Sequence, residues 1–401
     1  MTTDILSISF TLVATVLLGI SVLLLIPCMF LLIECLFSLT RRASLITTAQ
    51  VNSNLAVLVP AHNESVGITQ TLASITAQLP KNGQLVVVAD NCTDDTAEVA
   101  RCTGAAVVER NDPHLRGKGY ALDFGLKHLA KDPPDIVIMI DADCSLLPGT
   151  LSALAQQVYT QQRPCQAVYL MEKPQKPSTK DAVSVFAFRL KNQIRPLGLW
   201  HLGQPCLLTG TGIALPWETI SQVDLANGNL VEDMKLGLDL AILGYPPQLC
   251  PQAQVLSRLP EKDKAATTQR TRWEHGHIKV LLEYAPKLLG QSLKQRRFDL
   301  LALCLEISVP PLSLLVMVVL AILGFTSLGG WLTQDWLPLQ IASVAAASIV
   351  SAIGLAWLRF GRTDLTVMQL ASIPFYIVWK IPMYLKFLIK PQQDWLKTAR
   401  D

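Results

Sequence analysis

Five short groupings in the 401-residue chain bring together side chains able to do chemistry. Asp141-Ala-Asp143 sets two carboxylates two residues apart. On an extended segment they would share a face and could hold one hard cation, Mg2+ or Mn2+, which bridges diphosphate oxygens and neutralises a leaving nucleoside diphosphate. The same pair could equally do no more than cap a strand. Arg116-Gly-Lys118 stands just before a helix start and could hold phosphate or be a solvated turn. Val231-Glu232-Asp233 follows an Asn-Gly loop and precedes an amphipathic helix. It reads either as N-terminal capping or as a carboxylate base. Gln269-Arg-Thr-Arg272-Trp273 puts a guanidinium able to grip phosphate bidentately beside a large flat aromatic; the alternative is a basic helix lying on a membrane. His275-x-His277 beside Glu274 lacks a complete metal-ligand set and reads as surface or interfacial histidines.

These groupings need a scaffold, and residues 50–260 supply one. Leu55-Ala-Val-Leu-Val59 is a short β-rich run, as are residues 85–89, 106–109 and 136–140. Helical patterns occupy residues 66–78, 94–102 and 118–130 between them. Such alternation predicts a parallel sheet covered on both faces, with ligands bound beyond the carboxyl ends of the strands. Polar clusters stand at those ends: Pro60-Ala-His-Asn-Glu64, Asp90-Asn-Cys-Thr-Asp-Asp95 and Asp141-Ala-Asp143. The chain has no G-x-G-x-x-G and no G-x-x-x-x-G-K-[ST], which argues against a dinucleotide fold or a phosphate-loop ATPase.

Half of the residues are hydrophobic and only 16% are charged, against about a quarter in soluble domains. A net charge of +3 is too little for a nucleic-acid binder. The nine cysteines include no C-x-x-C and suit a reducing compartment. Uncharged runs at 5–33, 307–334 and 336–358 are each long enough to cross a bilayer, which takes roughly 20 apolar residues. Arg41, Arg42, Arg296, Arg297, Arg359 and Arg362 flank them so as to place residues 50–300 on the cytoplasmic side. A shorter run, 365–379, is followed by Lys380, Lys386 and Lys390 among aromatics and reads as an interfacial or re-entrant helix; residues 276–297 read as another interfacial helix. No span carries a paired ionisable constellation, Glu306 being the lone intramembrane candidate, so a transporter is not favoured. The expected layout is an anchor at 1–40, a catalytic domain at 50–260, the Q-x-x-R-W motif with an interfacial helix at 261–300, and two spans plus a C-terminal interfacial helix at 301–401.

In this order the motifs resemble those of the membrane-embedded family 2 glycosyltransferases, the branch containing cellulose synthase, hyaluronan synthase and ceramide glucosyltransferase. They run from the opening V-P-A-x-N-E at 59–64 through the aspartates after the second strand, the G-K loop, D-x-D and E-D to Q-x-x-R-W. The resemblance implies an α/β, A-type nucleotide-sugar-binding fold with flanking transmembrane helices. Carried over to these positions, Pro60, His62, Glu64 and Asp90 line the nucleotide-base pocket, and Lys118, Asp141 and Arg272 hold the diphosphate. Asp141 and Asp143 take Mg2+ or Mn2+, and Asp233 is the general base, desolvated with a raised pKa. Gly210, Thr211, Glu232, Gln269 and Trp273 form the acceptor site, with Glu232 turned toward backbone donors. Departures are His62 for the usual tyrosine, Asn91-Cys92 for an Asp/Gly-Ser pair, and Val231 for threonine.

The implied reaction is one displacement at the anomeric carbon of a UDP-linked sugar. It inverts configuration, with Asp233 taking a proton from the acceptor hydroxyl. Three spans are few for threading a polymer, so an integral-membrane enzyme of the inner or plasma membrane with a lipid acceptor is favoured over a polysaccharide synthase or assembly transferase. A non-catalytic nucleotide-sugar-binding scaffold is the third reading.

Overall fold

The computed structural model describes residues 2–40, 53–223, 225–226, 231–260 and 263–389. Arg41, Arg42, Lys390 and the Asn-Gly loop before Glu232 lie outside the described residues. The chain begins with α1 (Thr2–Ser38) and then enters the sheet. Strands β1 (Leu55–Ala61), β2 (Gln84–Asp90), β3 (Ala106–Arg110) and β4 (Ile136–Met139) run parallel in the order β3-β2-β1-β4. The crossovers are α2 (Ile68–Thr76), α3 (Thr96–Cys102) and α4 (Lys118–Leu129). β1 shows why its sequence is apolar throughout. Leu55, Val57 and Val59 face one buried cluster with α2, while Ala56 and Leu58 face another with α4, as a strand covered on both faces requires. On α2 the buried Ile68, Thr71, Leu72 and Ile75 keep the spacing of a single helical stripe.

The other half of the sheet is mixed, which corrects the all-parallel expectation. The chain continues through β5 (Ser145–Leu146), α5 (Thr150–Gln161), β6 (Cys165–Glu172) and α6 (Thr179–Arg189). A π-helical turn, Leu190–Ile194, then leads into α7 (Arg195–His201). β7 (Ile213–Pro216), α8 (Trp217–Ile220), α9 (Glu232–Ile242) and β8 (Gln248–Arg258) complete the layer. β6 is parallel to β8, but β7 is antiparallel to both β4 and β6, and β5 is antiparallel to β8. The reversal follows from Gly210 and Gly212, whose φ of +68° and +70° turn the chain back against β4. Residues with a Cβ seldom adopt such angles.

The C-terminal part consists of α10 (Asp263–Gln295), α11 (Phe298–Ser308), α12 (Leu312–Thr333), α13 (Leu337–Ala356), a π-helical turn (Trp357–Gly361), α14 (Val367–Ala371) and α15 (Ile373–Ile389). Among the described residues three helices are long and apolar enough to cross a membrane: Thr11–Ser38, Leu312–Thr333 and Leu337–Gly361. The second was expected to begin at 307. It begins at 312 because Pro310 and Pro311 break the helix, leaving α11 as a separate element packed on α10 and α9. Residues 276–297 are mostly the second half of α10. Its Val280, Tyr284 and Leu288 are buried while Leu282, Leu289 and Leu293 are exposed. α1 packs Leu24, Cys28, Leu31 and Cys35 against Leu315 and Val319 of α12, Ala345 to Ala356 of α13, and Phe186 of α6, so the first helix shares a core with the catalytic layer.

Candidate active site

Nine of the expected residues line one cavity of about 260 Å3: Lys118, Asp141, Asp143, Gly210, Glu232, Asp233, Gln269, Arg272 and Trp273. β4 ends at Met139, so Asp141 and Asp143 lie on a turn closed by Cys144 N–H to Asp141 O at 3.1 Å, not on the extended segment expected. The turn still delivers both carboxylates to the cavity wall. Thr211 sits behind them, buried, and its Oγ1 accepts the Asp141 N–H at 2.9 Å. Ligand atoms of Asp141, Asp143 and Cys144 lie within 4.8 Å of one another. Two carboxylates at a partly exposed turn fit a hard divalent cation.

Lys118, the first residue of α4, ion-pairs with Asp141, donates to Gly210 O, and stands 3.8 Å from Glu232. Burial alone would lower its pKa, but Asp141 and Glu232 hold it above the usual lysine value. Arg116, on the same loop, is exposed and does not line the cavity. α9 opens with Glu232 and Asp233. Glu232 was expected to meet backbone donors, but it is Asp233 Oδ2 that accepts the Gly210 backbone N–H, while Glu232 faces Lys118. Glu232 carries a raised pKa. Burial pushes it up to about 7, with Lys118 opposing and Asp233 adding repulsion. A Cβ at Gly210 would lie 3.9 Å from both Asp141 Oδ2 and Asp233 Oδ2, so this glycine marks where the two acidic groups converge.

Pro60, His62, Glu64 and Asp90 stand apart from this cavity at the carboxyl ends of β1 and β2. His62 Nδ1 is 2.6 Å from the Asp90 backbone oxygen, and Glu64 N–H donates to Thr96 Oγ1 at 2.8 Å. Asp90 is buried, and its carboxylate takes Arg110 at 2.7 Å. Arg110 lies over the Tyr120 ring and was not singled out from the sequence.

Several wall residues carry no motif. Tyr169 of β6 bonds Ser257 at 2.9 Å and meets Phe188 edge-on at 4.9 Å; Phe188 in turn lies 5.7 Å from Trp273. This row of rings fixes the aromatic of the Q-x-x-R-W segment. Glu274 pairs with Lys380 and Tyr384 of α15, and Arg270 donates to Ser184 at 2.7 Å. His275 and His277 are buried rather than at the surface. Their Nε2 atoms lie 3.2 Å from Met383 O and Ile307 O, because α10 is enclosed by α11 and α15. Glu306 is likewise not alone: Arg195 of α7 reaches Glu34 of α1 at 2.7 Å and Glu306 at 2.9 Å, and all three are buried. Glu34 lies one residue beyond the uncharged stretch, and Arg195 is distant in sequence, so no local pattern reveals the triad.

A mixed sheet with an acidic turn beyond β4 and flanking apolar helices has the architecture of A-type glycosyltransferases. The chain belongs to glycosyltransferase-like family 2, whose model matches residues 53–276. It is similar to the probable glycosyltransferase YdaM of Bacillus subtilis, 27% identical over 273 residues that cover 61% of this chain and 60% of that one. It is also similar to the poly-β-1,6-N-acetyl-D-glucosamine synthase of Staphylococcus aureus, 24% identical over 276 residues covering 63% and 60%. The chain thus spans about 60% of the length of these curated relatives. A mannosyltransferase of Pyrobaculum calidifontis, solved with GDP-Man and Mn2+, shares the fold at a TM-score of 0.55 over 94% of this chain and 100% of that one, with 16% identity.

Proposed function

We propose that this protein transfers a sugar, with inversion, from a nucleoside-diphosphate sugar to a lipid acceptor at the cytoplasmic face of a membrane. The observation that carries the acceptor is the shape of the cavity. From the carboxylates it continues to Leu31 of α1, Val316 of α12, Ile353 of α13 and Ile373 and Ile377 of α15. Leu31 is seven residues from the end of α1, Val316 four from the start of α12, and Ile353 eight from Gly361. At 1.5 Å per residue the cavity reaches about 6–12 Å into a hydrocarbon layer of about 30 Å. An apolar recess of that depth suits the upper part of a lipid in the near leaflet; a polymer leaving through the protein needs a path across the whole layer. The polysaccharide-synthase reading is supported by the likeness to the Staphylococcus relative.

Asp233, beside Gly210 in the cavity wall, takes the proton of the acceptor hydroxyl. Lys118 and Arg272 attract the departing diphosphate, and the amide of Gln269 and the ring of Trp273 orient the acceptor. Asp141 and Asp143 would hold Mg2+ or Mn2+, as Mn2+ accompanies GDP-Man in the Pyrobaculum enzyme; when bound, the cation supplies positive charge to the leaving group. His62 and Asp90 line the base end of the donor site. The orientation rests on Arg297, which donates to Ala241 O of the catalytic layer, and on Arg359 and Arg362 at the same end of α13.

The test is purified full-length protein in lipid nanodiscs, offered a panel of nucleotide sugars and extracted lipids, with products read by mass spectrometry and anomeric configuration by NMR. One sugar on a lipid with inverted configuration is expected. A water-soluble polymer as the sole product would replace the lipid reading.

A further inference from the structure

The cavity wall between the carboxylates and the apolar recess is formed by the π-helical turn Leu190–Ile194. π-turns inside helices are rare and recur at functional sites; the wider turn brings consecutive side chains closer around the axis than an α-turn does. Here the consecutive pair is Lys191 and Asn192, and both line the cavity. The Lys191 side chain makes no hydrogen bond and no close ion pair among the described residues, and the carboxylate acting on it most is Asp233. Asn192 is 3% exposed, and its Oδ1 has no hydrogen-bond partner. A buried polar atom left unpaired in a native protein is costly. The orphaned Asn192 Oδ1, with the half-buried Lys191 ammonium beside it lining the same space, marks a place for something the chain does not itself supply.

The surroundings narrow what that is. The acidic groups nearest the turn on other elements are already engaged. Glu274 has Lys380 and Tyr384, and Glu306 has Arg195. Asp233 takes the Gly210 N–H. Lys118 ion-pairs with Asp141, whereas Leu190 and Ile194 of the turn share a buried cluster with Val309, against which Leu312 and Val316 pack. An anion reaching Lys191 therefore arrives with the acceptor, and a hydroxyl beside it can donate to Asn192 Oδ1.

We propose that Lys191 and Asn192 form a headgroup subsite for an acceptor lipid bearing a phosphate next to a hydroxyl, the phosphate on the Lys191 ammonium and the hydroxyl on the Asn192 carbonyl. This rests on the lipid-acceptor reading above and adds the charge of the headgroup to it. The subsite holds the acceptor beside Asp233 while the tail lies against Leu31, Val316 and Ile353. Lys191 and Asn192 are positioning residues: no bond is made or broken at either.

The experiment is equilibrium binding to full-length protein in phosphatidylcholine nanodiscs. The probes are a matched pair of single-chain lipids, oleoylglycerol phosphate and its phosphate-free twin monooleoylglycerol. Binding of UDP and GDP serves as the control for the donor side and for folding. The phosphate lipid should bind about 10- to 100-fold more tightly than its twin, the worth of one charge-assisted hydrogen bond. Lys191→Met should erase that preference and leave nucleoside-diphosphate affinity within about two-fold, and Lys191→Arg should keep most of the preference. Equal binding of the two lipids by the unaltered protein, or a preference that survives Lys191→Met, overturns the proposal while the lipid reading stands. Loss of nucleoside-diphosphate binding in a folded Lys191→Met protein assigns the lysine to the donor and also overturns it. Binding of neither lipid removes the lipid reading itself, and the subsite with it.

Discussion

The two ends of the site are built differently. At the proposed donor end, Pro60, His62, Glu64 and Asp90 come from the tips of two neighbouring parallel strands, each a short contiguous segment. At the proposed acceptor end, Lys191, Gln269, Trp273, Ser313 and Tyr376 come from four elements that meet only in three dimensions. A parallel sheet places the tips of its strands together by hydrogen-bond register alone, so its ligands can be named from the chain. A helix-walled recess places nothing until the helices have packed. The motif-bearing carboxylates and Lys118 stand at the junction of the two ends.

If that division is right, the largest effects belong to the junction. Asp141→Ala should reduce transfer to background and abolish cation-dependent binding of nucleoside diphosphate, measured by calorimetry with and without Mn2+. Full turnover in excess chelator would instead remove any metal from the site. Asp233→Asn comes next. It should lower kcat by roughly 10²–10⁴-fold with donor affinity nearly intact, while Glu232→Gln costs less. Retained activity in Asp233→Asn with loss in Glu232→Gln would exchange the two roles.

A third prediction concerns what holds the acceptor end to the membrane. Arg195→Met leaves Glu34 and Glu306 buried without their guanidinium and should destabilise the protein by about 3–5 kcal/mol. Adding Glu34→Gln and Glu306→Gln should recover much of this in thermal melts. If the single substitution left the melting temperature unchanged, the catalytic layer and α1 would be only loosely joined.

The smallest effect is the most specific. The folded-state pKa of Glu232 is raised, to about 7 from 4.5. Between those values the folded protein holds a proton that the unfolded chain has released, so stability falls as pH rises through this window, by on the order of 3 kcal/mol. Melting curves from pH 5 to 8, without cation or nucleotide, should therefore fall more steeply for the unaltered protein than for Glu232→Gln. Parallel curves would mean that Glu232 is solvated and that the junction is open to water.

Much of this architecture can be read from the chain. Strands β1 to β4 and helices α2 to α4 follow from alternation of period and from apolar runs, because local pattern and final burial coincide there. β5 to β8 do not, since the antiparallel return depends on two glycines with positive φ rather than on any run of residues. D-x-D was legible as chemistry but not as geometry: the pair converges through a turn. The contact of the Asp233 carboxylate with a backbone amide was not legible at all. It depends on where the Gly210 amide falls, a contact 23 residues away. Arg110, Tyr169 and Phe188 had no signal, being ordinary residues until folding placed them. The Glu34–Arg195–Glu306 triad was hidden for the same reason.

Glu34 has one more consequence, and it concerns synthesis. Its guanidinium partner comes 161 residues later, and α13, against which α1 packs, later still. At roughly 5–20 residues per second, translation leaves α1 in the bilayer for on the order of ten seconds before Arg195 exists. Glu34 lies only four residues from the end of its helix, close enough to the headgroups for water to serve in the interval. The approach of α7 cannot be loose when it comes. A Cβ at Gly198 would stand 2.0 Å from the Glu34 carbonyl oxygen, so the late-made helix must seat directly on the backbone of the first. α1 thus completes its packing only once α13 has been made.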